Sequence, residues 1–272
     1  MEVQHPEIPP STSTTPIAAE PPANKPVKWL LPALIGLSFI FPLVGERMLA
    51  ACSLIFYPAP HGLMIAPPEY VAAELKAMTI NTAIGYGLCG AVFFFLMGGL
   101  VGAASSAGRA LRGALIGGVV GFVLAAVAGA VGYRIEVALR QEDMDAMYRT
   151  AMVLIAVFLA FAVTAGLIAQ WSRMRGSRMR RSGTRGSGTQ GSGTQGETTA
   201  GGAQATLRTL GTAILVAVLG IVAYILIATI AIPTGWTEGM HPTELSVRYL
   251  FFFCLALAAT ACAGLLLKPR TA

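Results

Sequence analysis

Six long stretches of this chain carry no Asp, Glu, Lys or Arg: residues 29–45, 77–108, 113–133, 150–172, 209–237 and 249–267. Crossing about 30 Å of hydrocarbon takes roughly 20 predominantly apolar residues in helical form. Backbone polar groups inside a bilayer must be satisfied within the protein, so continuous apolar runs of this length imply helices. Fitted to a bilayer, the expected spans are residues 29–47, 77–104, 112–133, 150–171, 209–232 and 249–267 of an all-α transmembrane bundle. The first is the shortest and holds both Pro32 and Pro42. A second reading extends it through Glu46 and Arg47 to Tyr57, or lets residues 48–57 dip back as a re-entrant segment. Neither changes the other five spans.

Composition agrees. The chain is 55% hydrophobic and only 12% charged, with a mean hydropathy of +0.67, more apolar surface than a soluble core of 272 residues could hide. Aromatic residues make up only 8% while Gly residues number 31, which points to an interior built by close helix approach more than by interlocking rings.

Basic residues beside a helix resist translocation, and acidic ones matter little. With the N-terminus cytoplasmic, that side holds Lys25, Lys28, Arg109, Arg112, the seven Arg from Arg173 to Arg208, Lys268 and Arg270. The other side keeps Arg47, Lys76, Arg134, Arg140, Arg149 and Arg248, a division of 13 to 6. Both termini are therefore expected in the cytoplasm. This topology accounts for the net charge of +6 without nucleic acid, for which the sequence shows neither a fold nor interleaved aromatics. Arg outnumbers Lys 15 to 4, which suggests a GC-rich genome and a bacterial cytoplasmic membrane.

Residues 1–28, rich in Pro, Ser and Thr, read as a disordered tail. A four-helix unit is expected over 29–172, and a two-helix unit over 207–272. Between them, residues 173–206 run from an arginine-rich stretch into repeated Gly-Ser-Gly-Thr, the composition of a flexible linker with a reach of roughly 30 Å. Arg173, Arg175, Arg178, Arg180, Arg181 and Arg185 follow a span closely and form a candidate contact for anionic lipid headgroups.

Between the first and second spans, Pro67-Pro68-Glu69 predicts a helix start that runs straight into the second span. Pro242 and Glu244 repeat that chemistry before the sixth. Glu136 and Arg140, at i,i+4, predict a polar helical extension of the third span.

The sharpest pattern lies in that third span, where Gly113, Gly117, Gly121, Ala125 and Gly129 recur every four residues as a glycine zipper. Such a stripe lets helix backbones approach closely in lipid, and Gly98 and Gly102 offer a partner face within the chain. The other reading of the stripe is a subunit interface with a second copy or another membrane protein.

No ionisable residue is expected at mid-span, which removes the usual mark of ion or proton coupling. Asn81, Thr82 and Tyr86 share a helix face near one end of the second span, where they either pack or line a solute path. Glu46 and Arg47 mark an interfacial stop, or pair with another helix to gate an outward cavity.

No chemistry-bearing motif emerges. Cys52, Cys89, Cys254 and Cys262 form no CxxC pair, so neither zinc site nor disulfide framework is expected. Ser38 has no histidine within a span to activate it, and neither HExxH nor GxxxxGK[ST] occurs. The expectation is a non-enzymatic protein without cofactor or metal, acting by helix association or by partner and lipid contacts. The alternative is a facilitative permease or channel subunit for a small neutral or weakly polar solute.

Overall fold

The computed structural model describes residues 29–52, 55–56, 67–104, 106–183, 197–231 and 245–267. Six helices occupy them in chain order: α1 (Leu30–Cys52), α2 (Pro68–Ala103), α3 (Ala107–Gln141), α4 (Ala146–Gly183), α5 (Glu197–Ala231) and α6 (Leu245–Leu267). Each is long and apolar enough to cross a membrane, and no strand occurs among the described residues.

Local chemistry explains several boundaries. α2 opens with Pro67 extended as its N-cap, Pro68 in the first position and Glu69 in the first turn, as the sequence predicts. A proline there loses only an amide that would have had no intrahelical partner. From Pro68 the helix continues unbroken through the second span. α3 ends in a Schellman turn: Met144 N–H donates to Leu139 O at 3.1 Å and Asp143 N–H to Arg140 O at 3.2 Å. Asp143 takes the left-handed conformation this turn requires, at φ 56°, which Asp tolerates better than most residues.

Three boundaries differ from the spans first expected. α1 follows the longer of its two expected courses in part: it runs through Glu46 and Arg47 to Cys52, because the face bearing Leu34, Ser38, Phe41, Gly45, Leu49 and Cys52 keeps helical spacing and stays buried. Helix also occupies both ends of the stretch expected as linker, since α4 continues to Gly183 and α5 begins at Glu197. Met and Arg are good helix formers, so a spanning helix can propagate through them until the Gly-Ser-Gly-Thr series. Residues 184–196, and with them the centre of the expected linker, lie outside the described residues, as do the expected N-terminal tail and the Pro242 and Glu244 helix start.

α1, α2, α4 and α6 surround a common core: α1 packs on α2 and α6, and α4 on α6 and more lightly on α2. α3 lies against α2 and α4, and α5 against α4 and α6. The two helices after the linker are thus integral to the bundle.

Two kinds of packing hold it together. Rings from four helices interlock at the centre: Phe41 of α1 sits 4.7 Å from Phe93 of α2 and 5.6 Å from Phe252 of α6, and Phe94 of α2 lies 5.2 Å from Phe161 of α4. A neighbouring layer gathers Tyr86, Phe158 and Tyr224 around Phe251, at centroid distances of 6.4, 5.9 and 5.8 Å. Edge-on contacts of this kind contribute beyond area burial. An interior made mainly by glycine approach is therefore only half of the picture. Few as the aromatics are, they are concentrated at the centre.

Close approach governs the seam between α2 and α3. A Cβ added at Gly98 would strike the carbonyl of Gly113, one at Gly113 the carbonyl of Gly98, and one at Gly117 the carbonyl of Phe94. At Gly102 it would meet Arg109 O, at Gly121 it would lie 2.6 Å from Gly90 O, and at Gly129 3.0 Å from Thr82 O. Ala125 fits against Gly90. The small-residue stripe of α3 thus faces α2 of its own chain.

Candidate functional site

One end of the bundle concentrates the polar side chains. Because neighbouring helices alternate in direction, the C-terminal parts of α1 and α3 meet the N-terminal parts of α2 and α6 there. That brings Glu46, Asn81, Glu136 and Arg248 to the same end.

Glu46 is buried, 6% exposed, although it lies well inside a helix long enough to span. Its Oε1 faces Nη1 of Arg248 on α6 at 3.4 Å, and its Oε2 faces Nε of Arg47 at 3.7 Å. Arg47 is 85% exposed, so its contribution is screened. Arg248 is 29% exposed and is the interhelical partner. Short charge-assisted hydrogen bonds fall at about 2.7–2.9 Å, so this is an ion contact rather than a tight bidentate clamp. Glu136 on α3 is similarly buried and accepts from Nη2 of Arg140 at 3.1 Å, as the i,i+4 spacing predicts.

Both carboxylates lie toward the C-terminal ends of their helices, away from mid-span, and the contact with Arg248 favours the reading of Glu46 as a residue that pairs with another helix. For Glu46 the signal was available: it lies four residues beyond Pro42 and three before Leu49, on the face that α1 buries. Arg248 as its partner could not be read from spacing, since the two belong to helices far apart in the chain.

Asn81 holds a neighbouring segment in place. Its Oδ1 accepts from the Phe56 amide at 2.9 Å and its Nδ2 donates to the Phe56 carbonyl at 2.7 Å. Thr82 donates to Met78 O at 2.8 Å, and Tyr86, 1% exposed, packs edge-on against Phe251. All three residues are buried within the protein.

Deeper along the α1–α6 seam, Ser38 and Thr260 hydroxyls lie 2.9 Å apart, and both reach Leu34 O, at 3.2 and 3.5 Å. Bonds between hydroxyls fasten helices where water cannot compete, at a typical worth of about 0.6 kcal/mol.

Among the described residues, no group of three or more His, Cys, Asp and Glu is arranged to hold a metal ion, and the four cysteines are buried free thiols. Arg173, Arg175, Arg178, Arg180 and Arg181 fall on the last turns of α4, beyond the apolar span; Arg185 lies outside the described residues.

Six apolar helices packed in this way decide the class. The chain is a multi-pass membrane protein. In comparisons with known proteins, no family model, curated protein or solved structure matches it.

Proposed function

We propose that this membrane protein is non-enzymatic and acts through contacts with lipid and neighbouring membrane proteins, its termini and the arginine-rich end of α4 facing the cytoplasm. The observation that carries this reading is the aromatic core. Phe93, Phe94, Phe158, Phe161 and Phe252 are fully or almost fully buried where a conducting bundle would need a polar route. The surface offered outward is that of the flanking helices: only 33% of the spanning window is buried in α3 and in α5. Val119 and Val127 on α3, and Leu215 and Leu219 on α5, point away from the bundle. A partner within the bilayer would meet outward faces such as these and not the glycine stripe, which is occupied by α2.

Photocrosslinking residues at Val119 and Leu215, activated in native membranes, test this. Adducts to a second copy or to another membrane protein support it. A lone monomer at both positions, together with solute flux in reconstituted vesicles, would overturn it. A facilitative permease has less support, because Asn81 and Thr82 make their hydrogen bonds, and Tyr86 its ring contact, inside the protein.

A further inference from the structure

α1 consists of two halves held by different means. The first half is fastened in mid-span by the Ser38–Thr260 hydroxyl contact and by Leu34 and Leu37 in the core. Pro42 then lies inside the continuous helix. It has no amide to donate to the Ser38 carbonyl, and its ring crowds that carbonyl, so the backbone ladder is weakest there. Ser38 adds to this, since its hydroxyl bonds back to Leu34 O, a geometry that favours bending.

Beyond Pro42 the contacts change in kind. Gly45 lies flat on the Phe252 ring and its carbonyl accepts from the Cys89 thiol at 3.4 Å. Leu49 and Cys52 fit against Gly85 of α2. Leu49 is buried in the core and Met48 packs against it, so this half leans on α2 as well as on α6. Glu46 with Arg248 adds an ion contact between this half and α6.

We propose that residues 43–52 form a flap, hinged at Pro42 and latched shut by Glu46 and Arg248, whose release uncovers the α2–α6 groove. Removing the charge from either partner leaves the other in a mostly dry position, so the closed state loses its attraction and gains a desolvation penalty. Opening bares Cys89, which is 0% exposed when the flap is shut. Cys262, equally buried but in the part of α6 beyond the hinge and near Gly166 of α4, is left covered.

The native thiols report on this directly. Alkylation by N-ethylmaleimide in native membranes, read residue by residue by mass spectrometry, compares the wild type with Glu46→Gln, Arg248→Met and Arg47→Gln. Cys89 labelling rises about tenfold or more in the first two, the change that about 1.4 kcal/mol of lost closing energy produces. Cys262 does not change, and Arg47→Gln behaves as wild type. Exchanging the charges, with Glu46→Arg and Arg248→Glu together, restores protection. Adding Pro42→Ala to Glu46→Gln lowers Cys89 labelling again, because a complete backbone ladder resists bending. If Cys89 stays at its wild-type rate in both single variants, there is no latch. If Cys262 climbs in step with Cys89, the pair merely stabilises the whole fold and the proposal fails. If Pro42→Ala leaves the raised rate untouched, the hinge is wrong.

Discussion

Alanine at Gly121 adds one methyl group where α3 meets α2. That carbon would lie 2.6 Å from Gly90 O and 2.7 Å from Phe94 Cβ. A carbon normally meets a carbonyl oxygen at about 3.3–3.6 Å, so the helices must part by about 0.7–1 Å. A gap of about 0.5–1 Å forfeits roughly a quarter to a half of the attraction of each facing atom pair. The loss spreads to Gly117 and Ala125, which share the seam. Overpacking of this type costs about 1–3 kcal/mol, and replacing glycine within a helix returns about 0.5–1 kcal/mol, leaving a net loss of about 1 kcal/mol at the middle of those ranges. Gly36 and Gly211 provide the internal contrast, because a Cβ at either meets nothing within 4 Å. Alanine there should be neutral or slightly stabilising. Unfolding in mixed micelles of increasing dodecyl sulfate fraction, followed by far-UV circular dichroism, measures all three. The reasoning is refuted if Gly121→Ala unfolds at or beyond the wild-type midpoint, or if Gly36→Ala and Gly211→Ala cost as much.

Three further outcomes are expected. A double-mutant cycle over Ser38→Ala and Thr260→Val should give a coupling of about 0.6 kcal/mol, the usual worth of an interhelical hydroxyl bond in lipid; additive losses would mean that the two hydroxyls do not support each other. Asn81→Ala removes both side-chain hydrogen bonds to the Phe56 backbone, so hydrogen exchange at residue 56 should quicken while exchange at the α2–α3 seam is unchanged. Unchanged exchange at residue 56 would show that Asn81 does not hold that segment. A single reactive cysteine in place of Ser187, between α4 and α5, should be shielded from impermeant reagents applied outside the cell; labelling there would reverse the proposed orientation.

The features most legible in the sequence were those whose cause is local. Absence of charge marks α2 to α6, and Pro68 with Glu69 places the start of α2 because first-turn chemistry depends on adjacent residues alone. The four-residue glycine spacing was also legible as a packing face, and Gly98 and Gly102 as its partners, since both sides of an antiparallel pair must be small for backbones to touch. What spacing could not show was contact between helices remote in the chain. Glu46 read either as a stop, because a carboxylate after a short, proline-containing run resembles a membrane boundary, or as a residue that pairs with another helix; that the helix is α6 and the partner Arg248 is visible only in the fold. The aromatic core was hidden for a similar reason. Phe41, Phe93, Phe161 and Phe252 each look ordinary in their own helices, and their significance comes from convergence.

The seam between α1 and α6 also has a consequence in time. Its hydroxyl contact joins residues 222 positions apart, whereas α2 and α3 are joined by a short turn. At synthesis rates of about 5–20 residues per second, about 10–45 s pass between the emergence of Ser38 and that of Thr260. During that interval the α2–α3 hairpin can form on its own, while α1 already holds a carboxylate whose counter-charge has not been made. The side of α1 that faces α6 is therefore among the last surfaces of the bundle to be covered.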